Sequence, residues 1–192
     1  MRLFLLGATG NSGRRILRFA LDRGHEVTVL VRDTSKLLAL IGTSVPERLK
    51  VVPGDLGNAS QITAAMTGHE VVINAAGYVS HGEAFTRLVQ IAIDAASATL
   101  GEGGRFWQFG GAAVLDIPSA GIKGVDLPMV PKVYEAHRTN LIALERSRLV
   151  NAVSRPDDRG ARRQADAGFA RLRGSMADGA SGLHAFDAAS DA

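Results

Sequence analysis

The sequence predicts a three-layer α/β fold around a doubly wound parallel sheet. Two observations carry that expectation: short apolar runs alternate with amphipathic helical stretches, and the first run empties into a glycine-rich turn that opens a helix. A chain of 192 residues with 46% hydrophobic content has material for one domain with a substantial core.

The first run, residues 2–6, is too short for the apolar region of a signal peptide and leads into glycine instead of a cleavage site, so it reads as a buried strand. Further strands are expected over 26–31, 49–52, 70–75 and 105–109, mostly β-branched or aromatic. Between them, a helix over 11–23 places Ile16, Leu17, Ala20 and Leu21 on one face and stops at Gly24. Other helices are expected over 35–41, 59–66, 83–100 and 132–149. Right-handed crossovers make such a series a doubly wound sheet, which takes ligands at the carboxyl ends of its strands. No internal repeat is evident.

Composition excludes several classes. The formal charge of +3 is modest, and the arginines gather toward the C-terminus without interleaved aromatics, so no nucleic-acid surface is expected. There is no Cys, hence no disulfide, thiolate metal site or cysteine nucleophile, which suits a cytoplasmic protein. His25, His69, His81, His137 and His184 lack metal-ligand spacing. No apolar stretch approaches the roughly 20 residues of a membrane helix, so no membrane association is expected. From residue 150 to 192 the chain turns rich in Ala, Arg, Asp, Gly and Ser without either period, and is expected to stand outside the domain formed by residues 1–149 as a disordered or marginally helical tail.

The turn Gly7-Ala8-Thr9-Gly10-Asn11-Ser12-Gly13 carries the chemistry. Gly7 permits a tight turn, Gly10 lets backbone approach a pyrophosphate, and Gly13 lets the helix pack closely, while Thr9, Asn11 and Ser12 add donors; this is the phosphate turn of a Rossmann-type dinucleotide site. The second strand ends Val31-Arg32-Asp33-Thr34-Ser35-Lys36. Arg at this place accommodates a 2′-phosphate, so NADP (NADPH) is expected; Asp33 keeps NAD possible, and Lys36 fits a second phosphate contact or a solvated helix position. Asp55 and Leu56, after the third strand, fit an adenine contact, and Asn74-Ala75-Ala76-Gly77, after the fourth, let backbone approach the adenosine ribose.

Through GATGNSG and GHEVTVLVRDTSKL, residues 1 to about 149 resemble the atypical, or extended, short-chain dehydrogenase/reductases, in particular the NAD(P)H-binding group of NmrA-like proteins and flavin reductases of the biliverdin reductase B kind. The resemblance implies that Arg32 and Lys36 contact the 2′-phosphate, and that hydride passes to a small conjugated acceptor, a flavin or quinone. Its alternative is a non-catalytic NADP-sensing regulator of the NmrA kind. A sugar-nucleotide epimerase fits least, given the short chain.

The chain departs from the usual pattern of a fifth-strand Ser and a Tyr-x-x-x-Lys pair. The fifth strand ends Phe109-Gly110-Gly111-Ala112-Ala113, with Gly110 beside the cofactor, and the nearest equivalent of the pair is Tyr134-Glu135-Ala136-His137-Arg138. Tyr134 is a candidate acid, and His137 a second proton donor by likeness to the flavin reductases. Arg138 cannot release a proton at neutral pH but is suited to holding ribose hydroxyls or lowering the Tyr134 pKa. A flavin needs no protein acid, because hydride transfer to its ring is chiefly positioning. Residues 115–131 are expected to contact substrate, and Trp107 and Phe109 to wall the cleft or to serve the core.

The resemblance also implies a sixth strand after about Leu149 reading like Leu-Asp-Trp-Thr-Leu-Phe-x-Pro-Gly-Pro-Met. Residues 151–158, Asn-Ala-Val-Ser-Arg-Pro-Asp-Asp, can be encoded by AAC GCT GTT TCC CGG CCC GAT GAT, whose +1 reading is Thr-Leu-Phe-Pro-Gly-Pro-Met. A frameshifted chain lacking its native C-terminal strand is therefore expected, with an exposed sheet edge and an incomplete substrate wall.

Overall fold

The computed structural model describes residues 1–42, 44–101, 103–147 and 149–151, so that almost all of the segment 150–192 lies outside the described residues. Along the chain run β1 (Arg2–Leu6), α1 (Asn11–Asp22), β2 (Glu26–Val31), α2 (Thr34–Ile41), β3 (Leu49–Pro53), α3 (Ala59–Met66), β4 (Val71–Asn74), α4 (Glu83–Thr99) and β5 (Arg105–Gln108). A small hairpin of β6 (Asp116–Ile117) and β7 (Ile122–Lys123) follows, then α5 (Glu135–Arg146) and β8 (Val150–Asn151). The main sheet is parallel, in the order β3-β2-β1-β4-β5-β8.

Strand alternation decides the layers, because successive side chains point to opposite faces. Leu3 and Leu5 of β1, with Val27, Val29 and Val31 of β2, pack against Leu17 and Ala20 of α1 and Leu37 of α2. Phe4 and Leu6, with Val72 and Phe106, meet Ile62 and Met66 of α3, Val89 and Ile93 of α4 and Leu144 of α5. Phe4, Leu5, Leu6, Val29, Val72 and Phe106 are essentially sealed from water. Each such side chain contributes about 1.5–3 kcal/mol of transfer free energy. At the amino edge, half-buried His69 bridges the Met66 carbonyl oxygen at 2.9 Å and the Thr28 hydroxyl at 2.8 Å, tying the α3–β4 turn to β2.

The order places a topological switch between β1 and β4, whose onward connections leave to opposite faces and open a crevice over their carboxyl ends. The structure refines the sequence expectation in three places. Residues 132–134 form a 3₁₀ turn ahead of α5, and α5 stops at Arg146. The stretch expected as loop from 115 to 131 contains the β6–β7 hairpin. A sixth strand does begin: Val150 and Asn151 pair with Arg105 and Phe106. The described residues of this strand end at Asn151.

Candidate functional site

The crevice has two dissimilar halves. In the first, β1 hands over to α1 through Gly7, whose φ of +78° belongs to glycine and whose added Cβ would stand 2.5 Å from the Ala76 backbone nitrogen. A Cβ at Gly13 would lie 1.9 Å from the Gly7 carbonyl oxygen, so the helix seats directly on the turn. At Gly10 the only neighbour would be that same oxygen at 3.4 Å, an ordinary contact, which leaves open space in front of the turn. No side chain caps α1, and its first turn has no acidic residue. Its first bond back runs from the Arg14 N–H to the Gly10 carbonyl at 2.9 Å. The amides at Asn11, Ser12 and Gly13 therefore project without intrahelical partners toward the open space, where the positive end of the helix favours an anion.

At the end of β2, Asp33 and Arg32 divide the work. The Asp33 carboxylate caps α2, accepting the Lys36 N–H at 3.1 Å. Arg32 and Lys36 are exposed and make no ion pair among the described residues. After β3, Asp55 accepts the Gly57 N–H at 2.7 Å and Leu56 packs partly against the core. Asn74 at the end of β4 is fully buried; its carbonyl accepts the Ala76 N–H at 3.0 Å and its amide donates to Gln108 at 2.9 Å. Its side chain thus sets the course of Ala75-Ala76-Gly77 from within.

The second half gathers around His137. The half-buried imidazole lies against Gly111, where a Cβ would fall 2.7 Å from its Nε2. The Phe85 ring meets it edge-on at 5.6 Å, and Tyr134 stacks on it at 6.1 Å. Burial holds the His137 pKa below its ordinary value of 6.5, so the ring is neutral at neutral pH. The 3₁₀ turn at Val79–His81 packs against the turn at Lys132–Tyr134, joining the exits of β4 and β5. Arg138 points away from a proton-transfer role: it pairs with Asp126 and lies 3.0 Å from the Glu135 carboxylate. Its hydrogen bond to Asp126 is the main cause that raises the guanidinium pKa still further. The Asp126 carboxyl is held low by that bond first and by the Lys123 N–H second, at 2.8 Å. Arg138 thereby ties the hairpin segment to α5. Among the described residues no cluster suits a metal ion, and no helix is long and apolar enough to cross a membrane. A groove of about 580 Å³ between α4 and α5, lined by Gln90, Asp94, Thr139 and Arg146, shares no residue with this crevice.

A turn that presents free helix amides to an open cradle at a sheet switch point suits a dinucleotide pyrophosphate, and the family model described as NAD(P)H-binding matches residues 7–157. The chain belongs to the NAD(P)H-binding family. Among relatives of this family member, the photosystem II assembly factor Ycf39 of Cyanophora paradoxa is 38% identical over 74 residues, 38% of this chain and 22% of that protein. YwnB of Bacillus subtilis is 30% identical over 141 residues, covering 70% of this chain and 59% of its own. A solved structure from Streptococcus pneumoniae, named as a candidate NADH-flavin reductase, superposes with a TM-score of 0.58 at 27% identity, covering 74% of this chain and 65% of that one. The chain spans less than two thirds of each of these relatives. Fold and NAD(P)H binding are those of atypical short-chain dehydrogenase/reductases and flavin reductase-like proteins.

The crevice of this NAD(P)H-binding protein brings Gly7, Thr9, Gly10, Asn11, Ser12 and Gly13 to one edge with Arg32, Lys36, Asp55, Ala75, Ala76, Gly77 and Gly110. Two side chains go elsewhere. Asn74 is turned inward, and Trp107 packs with the core on the α1 and α2 face instead of walling the crevice, because strand alternation from buried Phe106 sends it to the opposite side. Phe109, one residue past β5, is exposed at the crevice edge. Phe85, Asp126 and Glu135 were not legible as site residues: Phe85 reads as a helix core position, and the two acids look like solvated charges until their partners are known.

Proposed function

We propose that this chain is an NADPH-preferring reductase that passes hydride to a small planar conjugated acceptor, a flavin or a quinone. The observation that carries the reading is the end of β2, where Asp33 is engaged as the α2 cap while Arg32 and Lys36 are exposed and make no ion pair among the described residues. One oxygen of the Asp33 carboxylate is taken by the helix cap, so a ribose 2′-hydroxyl meets an acceptor already shared, whereas a 2′-phosphate meets two cations. The α1 amides and Thr9 and Ser12 hold the pyrophosphate; Asp55 and Leu56 border the adenine; Ala75, Ala76 and Gly77 border its ribose; Gly110 lies beside the reacting end. NADPH, when bound, supplies the hydride.

The chain's own contribution at the acceptor is positioning. The neutral His137 offers an N–H to the acceptor heteroatom on which negative charge develops, and Tyr134, stacked on it, fixes its plane and supplies a second hydroxyl donor. Arg138 acts through Asp126 and Glu135 by anchoring the loop, a positioning residue rather than an acid. A cytoplasmic setting, where NADPH is abundant and a Cys-free chain has no redox liability, belongs to the same reading.

The test mixes the full chain with NADPH and either FMN or a naphthoquinone and follows loss of NADPH absorbance, beside direct binding of NADPH and NADH. Turnover with tighter NADPH than NADH binding is the expected result. NADPH binding without turnover on any acceptor favours the second reading, a non-catalytic NADP-sensing regulator, which the closure of Arg138 in ion pairs supports.

We also propose that the reading frame changes after β8 begins. The strand starts at Val150–Asn151 beside β5, and residues 151–158 are compatible with codons whose +1 reading continues it as Thr-Leu-Phe-Pro-Gly-Pro-Met. Sequencing the encoding DNA decides this: a +1 frame closed by stop codons soon after codon 151 rules it out. Restoring the frame is expected to raise stability by extending the strand that Val150 and Asn151 begin beside β5.

A further inference from the structure

We infer that the acceptor half of the crevice selects an uncharged planar ring and discriminates against acceptors carrying a phosphate; the inference rests on the reductase reading above. Large apolar side chains stand exposed on the connections that leave the carboxyl edge, Ile122 and Val133 among them and above all Tyr78 after β4, Phe109 after β5, Leu115 before the hairpin and Met129 beyond it, at 64%, 52%, 65% and 79% exposure. Water-facing side chains of this size drawn from separate connections around one crevice mark a binding surface, not a core. Tyr78 opens the Val79–His81 turn, which packs against the Lys132–Tyr134 turn that follows Met129, and Phe109 and Leu115 flank the Gly111 segment against which His137, stacked with Tyr134, lies.

Charge separates this half from the first. Across residues 75–82 and 109–134 the charged side chains are Asp116, Lys123, Asp126 and Lys132, beside the one histidine His81. Lys123 is taken by Asp116 at 2.8 Å, and Arg138 of α5 by Asp126 and Glu135. Lys132 is left as the cation of this edge without a partner among the described residues. The helix ends repeat the contrast. α1 opens with no acidic residue in its first turn, whereas α4 opens with Glu83 and α5 with Glu135. A carboxylate in the first turn answers the helix dipole and repels a second anion. Hydride arriving from bound NADPH, with one proton from water, reduces the ring by two electrons and leaves NADP⁺; none of this requires a cation on the acceptor side.

The experiment loads the full chain with NADP⁺ and titrates riboflavin against FMN, which share a ring and differ by a phosphate, reading flavin fluorescence; NADPH oxidation with each flavin, and with a neutral against a sulfonated naphthoquinone, is measured in parallel. Riboflavin is expected to bind about tenfold more tightly than FMN, a difference of about 1.4 kcal/mol. Tyr78→Ala combined with Met129→Ala is expected to weaken riboflavin about tenfold while leaving the NADPH dissociation constant unchanged. Glu83→Gln is expected to narrow the riboflavin preference, and Lys132→Ala to leave riboflavin binding unaltered. FMN binding as tightly as riboflavin, with that affinity lost in Lys132→Ala, overturns the inference and leaves the reductase reading standing. Tight NADPH binding with neither flavin nor quinone bound or reduced overturns both.

Discussion

The two halves of the crevice are built from the same part, the amino end of a helix following a parallel strand, and reach opposite electrostatic results. α1 begins without a cap, without an acid and with glycine where a side chain would block the approach, so its free amides face outward for an anion. α4 and α5 begin with Glu83 and Glu135, and Lys123 and Arg138 are closed into pairs with Asp116, Asp126 and Glu135, which leaves Lys132 as the cation of that edge without a partner among the described residues. Position at the carboxyl edge therefore does not itself make a phosphate site. What decides is whether the first turn's donors and the nearby cations have been answered from within the chain.

The sharpest way to break the comparison is inside the glycine turn. Gly13→Ala forces a Cβ to within 1.9 Å of the Gly7 carbonyl oxygen, and is expected to cost about 3 kcal/mol or more in urea unfolding, with nucleotide binding lost. Gly10→Ala, which meets only a 3.4 Å contact, is expected to fold with nearly unchanged stability and still to weaken NADPH. Equal destabilisation by the two would show that Gly10 serves the protein and not the ligand.

Next in size, Arg32→Asp is expected to weaken NADPH by about 10- to 100-fold, as loss of a charge-assisted hydrogen bond does, with a much smaller change for NADH, measured by calorimetric titration. Equal weakening of both nucleotides would remove the phosphate contact. In the acceptor half, His137→Phe keeps the aromatic packing on Gly111 and Phe85 but deletes the donor, and is expected to lower kcat by about tenfold or more without changing NADPH affinity.

A smaller effect concerns pH. Burial lowers the folded-state pKa of His137 below the 6.5 of the unfolded chain, so the folded state binds fewer protons in that window. Its contribution to stability is whole above pH 6.5 and declines as pH falls from there through the folded-state value. His137→Phe should remove this part of the acid loss of stability, leaving that of His25, whose pKa burial also lowers, followed by thermal unfolding at a series of pH values. An unchanged pH slope in the variant would mean that the ring is hydrated in the folded protein. The smallest shift is that of Glu83→Gln on riboflavin against FMN, about two- to threefold, since one helix-terminal charge is worth a few tenths of a kcal/mol up to about 1 kcal/mol.

The local patterns in the sequence already determine the alternation of β1 through β5 with α1 through α5, the three-layer class, and the glycine turn with its nucleotide chemistry. Each of these depends on neighbours in sequence: a period of two or 3.6, a tight turn, a helix start. Which polar side chain is free was decided only by the tertiary structure. Asn74 turns inward because Gln108 waits on the adjacent strand, and Arg138 is closed into an ion pair because the hairpin segment delivers Asp126 to it. His137 is half-buried because Phe85 and Gly111 arrive from α4 and the end of β5. These partners lie far apart along the chain, and no local period records a pairing that exists only after the sheet has assembled.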